Sequence, residues 1–234
     1  MTPPSAFDPY AQNYEAALNR GLSLTGETRD YFARRRVEIV AACCRRLGLR
    51  AESVCDFGCG TGDTLPLLQS ILGAKKLIGL DPSTQSLATA RERHSLIDVE
   101  FATPAQFPPG LAACDAIYCN GVFHHIPLSE RLSAARHVLD LLRPGGYWFF
   151  WENNPFNPGT RWSMARIPFD HDAIVLRPRE ARHLAEQAGA RWLQTTFHFY
   201  FPRFLRHLRP AEKWLVRLPL GGQYLVLFQR PAAV

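Results

Sequence analysis

The stretch Val54-Cys55-Asp56-Phe57-Gly58-Cys59-Gly60-Thr61-Gly62-Asp63 sets three glycines behind a short apolar run and ahead of a helical pattern. Glycine lets a backbone turn tightly and approach a ligand without a side chain in the way. Ser53 to Phe57 reads as a buried strand and Asp63 to Leu72 as the helix after the turn. Downstream, Lys76-Leu77-Ile78-Gly79-Leu80 reads as a second strand that ends at Asp81-Pro82. A carboxylate at that place can accept hydrogen bonds from both hydroxyls of a ribose.

A nicotinamide dehydrogenase uses the same device, but its G-x-G-x-x-G loop needs a small third residue where this chain has Asp63. Asp56 and Asp63 would also repel a pyrophosphate, whereas a cationic sulfonium ligand with an amino group is compatible with both carboxylates.

Outward from the loop the pattern repeats. A long amphipathic helix over Thr28 to Leu47 leads in. A helix over Ser83 to His94 and strands at Val99 to Ala102 and Ala116 to Cys119 follow the second strand. Leu128 to Leu142 reads as a helix closed by Pro144-Gly145-Gly146, before an apolar strand from Tyr147 to Trp151. The last third has a Pro/Asn/Arg-rich segment from Asn153 to Pro178, a helix to Ala188, strand-like residues from Trp192 to Phe201, an arginine-rich helical piece from Arg203 to Leu218, and a final strand from Gln223 to Gln229. Alternating strands and helices predict an α/β fold, a mostly parallel sheet with helices on both faces and its ligand site at the carboxyl ends of the strands.

The glycine loop and Asp81 resemble the class I S-adenosylmethionine-dependent methyltransferase superfamily, of the kind acting on small molecules. Its first motif reads D-x-G-x-G-x-G, and its second strand ends in an acid. The likeness covers roughly residues 28 to 152. It implies a seven-stranded Rossmann-like sheet with an antiparallel final strand. It also implies that Asp56, Gly58, Gly60 and Gly62 line the methionine part of the cofactor and Asp81 with Pro82 the ribose. Asn120, at the end of the fourth strand, matches a position beside the methionyl group. The chain departs from the family at Thr103-Pro104-Ala105-Gln106, where relatives carry Asp-Ala, so adenine contacts are expected from Ala105 and Gln106. The resemblance further implies an N-terminal lid over residues 1 to 47, a cofactor core over 48 to 152 and an acceptor side over 153 to 234, all in one domain. Tyr14 and Arg36 would then reach the cofactor and Tyr10 the acceptor, although packing of these aromatics on the sheet edge is the competing reading.

Transfer of a methyl group needs alignment and exclusion of water more than a dedicated base. An acceptor hydroxyl would gain from one, and His124 and His125 lie just past the fourth strand. Either could serve as base, or one could simply shape the pocket. Glu152 to Pro158 reads as an acceptor wall contributing Glu152 and Asn154, or as a capped turn. Arg166, His171 and Arg177 would complete the acceptor site, the arginines Arg161, Arg166 and Arg177 clamping an anion or else pairing with Asp170, Asp172 and Glu180. The Arg203 to Leu218 piece suits a membrane surface or a helix covering the sheet, and the second is preferred.

The sequence has a formal net charge of +6 from dispersed arginines, with no nucleic-acid motif and no basic arm. Six cysteines lie within apolar segments without CxxC pairs, so reduced thiols, a cytoplasmic location and no bound metal are expected. No apolar run is long enough to span a bilayer. The expected protein is a monomer or homodimer that transfers a methyl group to an oxygen of a small, anionic metabolite. The rival classes are a non-catalytic cofactor-binding regulator and a dehydrogenase.

Overall fold

The computed structural model describes residues 25–107, 114–167 and 173–232. Tyr10, Tyr14, Asp170, His171 and Asp172 lie outside them.

Seven strands form one sheet: β1 (Ser53–Phe57), β2 (Lys76–Leu80), β3 (Val99–Ala102), β4 (Cys114–Asn120), β5 (Leu142–Asn153), β6 (Arg191–His198) and β7 (Gln223–Gln229). Their order is β3-β2-β1-β4-β5-β7-β6. The β3-β2-β1-β4-β5 part is parallel, and β7 runs antiparallel to both β5 and β6. A dinucleotide-binding dehydrogenase carries the order 3-2-1-4-5-6; here a strand inserted antiparallel between β5 and β6 breaks that pattern.

Successive side chains of a strand point to opposite faces, and both faces here are covered. Trp148, Phe150, Tyr224, Val226 and Phe228 enter one apolar layer, which also holds residues of α4 (Arg131–Leu141) and α6 (Pro178–Ala188). Phe149, Trp151, Leu225 and Leu227 enter the other, with Val37, Val40, Cys43 and Cys44 of α1 (Arg29–Leu47). Each fully buried aromatic of this kind contributes about 1.5–3 kcal/mol of transfer free energy. This two-sided burial makes the central strands read as continuous apolar runs rather than alternating ones.

Helix α1 starts where Thr28 accepts a hydrogen bond from the Tyr31 N–H and stops at Gly48 in the left-handed region, φ 64°. The helix expected over 63 to 72 shortens to α2 (Leu65–Leu67) and then widens into a π-helical turn, Leu68–Leu72. Pro66 sits in its first turn and Gly73 closes it at φ 78°. Helix α3 (Thr84–Arg93) is capped by Ser83.

Two expectations are corrected. Pro144 to Gly146 do not close a helix but belong to β5: Leu142 pairs with Cys114 across a bulge, and Gly145 and Gly146 exchange backbone hydrogen bonds with Arg230. The Arg203 to Leu218 piece is not a helix covering the sheet. It is a 3-10 segment, Arg203–Ala211, followed by a short helix, Glu212–Leu215, and neither contains a buried residue. Pro210 lies inside the 3-10 segment and Leu205 departs from helical angles, so the apolar side chains cannot form one stripe against the sheet. Phe204 and Trp214 are exposed as a result. Among the described residues no helix is long and apolar enough to cross a membrane.

Candidate active site at the carboxyl ends of the strands

The loop after β1 bends back over the end of β2, where the Gly58 and Cys59 N–H groups both donate to the Leu80 carbonyl, at 2.7 and 3.0 Å. Gly58, Gly60 and Gly62 hold φ of 78°, 52° and 81°. Asp81 locks the loop from below: one carboxylate oxygen accepts from the Gly60 N–H at 2.8 Å and the other from the Ser83 N–H at 2.8 Å. A carboxylate that accepts from both the loop and the start of α3 fixes the relative position of the two.

At Gly58 the requirement for glycine is steric as well as conformational. A Cβ built there would lie 2.3 Å from Cγ2 of Val122. The left-handed backbone costs a non-glycine about 1–2 kcal/mol, and overpacking costs about 1–3 kcal/mol more. Gly58→Ala is therefore expected to lose about 3 kcal/mol and lower the melting midpoint by roughly 6–12 °C in scanning calorimetry. Gly48→Ala provides the control: φ there is 64° but a Cβ would meet nothing within 4 Å, so about 1 kcal/mol is expected. Equal losses for the two would show that Val122 yields and the close approach is unimportant.

Two cavities meet at this loop. One, of about 490 Å³, runs along Asp81, Pro82, Pro104, Val122 and Ile126. The other, of about 390 Å³, lies under the start of α1 and is lined by Arg36, Asp56, Tyr118, Met164, Phe199 and Phe201 among others. Gly58, Gly60, Thr61, Asn120, Gly121 and His125 border both. The Oδ1 of Asn120 is buried at this junction without a hydrogen-bond partner among the described residues. At Gly60 a Cβ would meet open space.

The charges near the loop divide the work. Asp63 is held below the usual carboxylate range: burial pushes its carboxyl up, but Arg29 and the Thr61 hydroxyl more than offset this. Arg29 forms an ion pair with Asp63, tying the start of α1 to the glycine loop. Asp56 is buried, and its carboxyl is pushed up to about 8 by that burial and by the nearby Asp81, against the opposing pull of Arg36. Arg36 is itself buried and donates to the Tyr118 hydroxyl and to Oε1 of Gln223, both at 3.0 Å. The sequence signals for Tyr118 and Gln223 were those of strand residues only.

Past β4, Phe123–His125 forms a 3-10 turn. His124 is buried, and its Nδ1 lies 2.5 Å from Oε2 of Glu152, a residue with no exposed surface. The other oxygen of Glu152 accepts from the backbone N–H groups of Phe123, at 2.9 Å, and of His124, at 3.3 Å. The His125 ring lies beside that of His124, tilted by 51° with 4.0 Å between centroids.

The structure places several of the expected contact residues elsewhere. Glu152 borders neither cavity and is the partner of the 123–125 turn. Asn154, also without exposed surface, donates to the carbonyls of Pro219 and Gly221 and accepts from the Phe156 N–H, which uses up its amide on the turn before β7. Ala105 and Gln106 are exposed, Gln106 turning back to accept from the Thr103 N–H, and Pro104 is the residue that walls the Asp81 cavity. Arg166 and Arg177 are exposed and line neither cavity; Arg166 lies over the Trp162 ring at 3.4 Å. Asn157, which caps α5 (Pro158–Met164), does border the cavity under α1.

Residues 54–146 match a family model described as a methyltransferase domain. A trans-aconitate 2-methyltransferase of Delftia acidovorans is 37% identical over 125 residues, which cover 49% of this chain and 43% of that protein. A probable S-adenosylmethionine-dependent methyltransferase of Mycolicibacterium smegmatis is 28% identical over 182 residues, 74% of this chain and 67% of that one. The chain spans 36–60% of the length of the first trans-aconitate methyltransferases it matches. The crystal structure of an S-adenosylmethionine-dependent methyltransferase from Archaeoglobus fulgidus superposes with a TM-score of 0.60, at 16% identity, over 82% of this chain and 94% of that one. Glycine loop, strand-end acid, antiparallel β7 and these matches agree: residues 54–146 match a methyltransferase domain, and the sheet has the fold of the S-adenosylmethionine-dependent methyltransferases.

Proposed function

We propose that the protein moves the methyl group of S-adenosylmethionine to an oxygen of a small-molecule acceptor. The observation that supports this most is the pair of cavities joined at Gly60, Asn120 and His125. The ribose side of the cofactor fits the cavity along Asp81 and the acceptor the cavity under α1, and the two meet at the junction.

The residues present fit the cofactor. Asp81 and Pro82 stand where a ribose would be held, Gly60 leaves the loop open to close approach, and the unmatched Oδ1 of Asn120 offers an acceptor to an ammonium group. Asp56 supplies negative charge on the methionine side. When bound, the cofactor supplies an electrophilic methyl carbon on a sulfonium. The acceptor oxygen forms the new carbon–oxygen bond as the carbon–sulfur bond breaks, and its proton must leave. His125 borders both cavities and is half-buried, so it is the histidine we assign to take that proton. His124, engaged by Glu152, holds the turn that presents it.

Calorimetric titration with S-adenosylhomocysteine, run beside NAD, tests cofactor choice: micromolar binding of about −8 kcal/mol is expected for the first and none for the second. For the acceptor, labelled S-adenosylmethionine is incubated with the protein and a metabolite extract. Label is expected in the small-molecule fraction, and His125→Gln should slow its appearance by about 10²–10⁴-fold. Cofactor binding with no label transferred to that fraction overturns the acceptor assignment.

Asp56 makes the binding pH-dependent. In the empty protein its carboxyl, at about 8, is mostly protonated at neutral pH, and a cationic ligand favours the ionised form. Binding therefore expels a proton, and affinity is expected to rise up to about tenfold per pH unit between pH 6 and 7, then level off as Asp56 ionises in the empty protein too, at about 8. In the empty protein the sign is opposite: a carboxyl raised in the fold contributes stability at acid pH that disappears as pH rises from about 4 through about 8. Titrations in two buffers of different ionisation enthalpy count the released proton. Asp56→Asn is expected to abolish the rising limb, and its persistence in that variant would assign it elsewhere.

A further inference from the structure

Resting on the reading that the cavity under α1 receives the acceptor, we infer that this acceptor is an uncharged molecule with a flat aromatic body, and not a polycarboxylate of the kind named for the trans-aconitate methyltransferases. The charges of the cavity are already matched. Its arginines among the described residues are Arg29, Arg36 and Arg209. Arg29 is paired with Asp63. Arg36 spends its guanidinium on Tyr118 and Gln223, with Asp56 nearby. Arg209 sits 2.8 Å from Glu27 and 4.6 Å from the centre of the Tyr31 ring. Glu27, Asp30 and Asp63 line the same space, as does Asp56, whose carboxyl is mostly protonated until the cofactor binds. A tricarboxylate entering it would leave water, meet like charge and gain no unclaimed guanidinium, which is unfavourable on every count.

Beside these groups the cavity carries an apolar, largely aromatic wall. Tyr31 and Phe32 come from α1, Phe199 and Phe201 from the segment after β6, and Met164 and Ile167 from the end of α5 and just beyond it. Phe32 and Phe199 meet edge to face, 5.0 Å between centroids. Phe199 holds φ 65°, the one non-glycine residue in the left-handed region among the described residues. Such a backbone is costly for a bulky side chain and persists where the surroundings impose it. Here it sets an aromatic ring in the cavity wall. Ring edges and a thioether favour the faces and rims of aromatic ligands. Arg161, Arg166 and Arg177, the arginines beyond β5 read as an anion clamp, are exposed and line neither cavity.

The test uses the full chain saturated with S-adenosylhomocysteine and 2-naphthol, an uncharged fluorescent phenol, with trans-aconitate as competitor. Saturable binding of 2-naphthol at roughly 10–100 µM is expected, with no displacement by about 5 mM trans-aconitate. Phe201→Ala should weaken 2-naphthol about tenfold, and Ile167→Arg, which adds a cation to the wall, should weaken 2-naphthol and begin to admit trans-aconitate. Binding of S-adenosylhomocysteine by each variant shows that it is folded. Absence of that binding in the parent protein would strike the methyltransferase reading itself. Its presence together with displacement of 2-naphthol by trans-aconitate, or with no saturable 2-naphthol binding, overturns this inference alone.

Discussion

Asp81→Ala is expected to weaken S-adenosylhomocysteine binding at least a thousandfold while leaving the sheet intact. The carboxylate accepts from the Gly60 and Ser83 N–H groups, each at 2.8 Å, and hydrogen bonds to a charged group contribute about 1.5–3 kcal/mol each. Without them the loop is no longer fixed to the end of β2, and the site expected to receive the ribose loses its acceptor as well. A thousandfold corresponds to about 4.1 kcal/mol, so loss of the loop's anchor together with the ribose contact suffices. The strand itself is held by its neighbours: Leu80 pairs with Phe57 and with Ala102. Circular dichroism should therefore show a folded variant. Asp81→Asn, which keeps the shape and one accepting oxygen but forces an N–H against either Gly60 or Ser83, is expected to fall between. Calorimetry that finds Asp81→Ala within tenfold of the parent would remove Asp81 from the cofactor site.

What the sequence made legible here had local causes. The strands at 53–57, 76–80, 99–102 and 223–229 and the helix at 178–188 occur as read, because each is an apolar or amphipathic run bounded by turn or capping residues. Asp81 was legible because it ends a strand about twenty residues after a glycine loop, a spacing set by one strand-helix-strand unit. What stayed hidden depends on register between distant strands. The pairing of Asn120 with Trp151 brings the end of β5 beside the turn that follows β4, and only then does Glu152 meet His124. Likewise, Arg36 could be suspected of reaching the site, but its partners Tyr118 and Gln223 come from β4 and β7. The arginines after β5 looked like an anion clamp because charge at a site's edge and charge on a solvated surface have the same spelling. Pro210 was in plain view, and the helix expected around it underweighted a residue that removes a donor and clashes with the preceding turn.

Glu152→Ala should be the most destabilising substitution in the site. The residue has no exposed surface, and its two oxygens accept from Phe123 N–H, His124 N–H and, because a carboxylate only accepts, from a proton on His124 Nδ1. It also lies close enough to Arg131 to counter the effect of burial on that guanidinium. Alanine leaves these buried donors without a partner, at a cost of about 1–3 kcal/mol each. The melting midpoint should fall by roughly 10 °C. Glu152→Gln separates the contributions. Its amide oxygen can still accept from the two backbone groups, so stability should largely return, but its amide N–H₂ facing Nδ1 favours the opposite tautomer of His124. The pH profile of methyl transfer should then shift although the fold is restored, an outcome that a purely structural role for Glu152 would not produce. A double-mutant cycle with His124→Ala measures the pair itself, and a coupling of about 0.5–3 kcal/mol is expected between groups in such contact. If Glu152→Ala costs the same with and without the His124 ring, the carboxylate serves the backbone of the turn alone, and the orientation of both histidines must be set by something else.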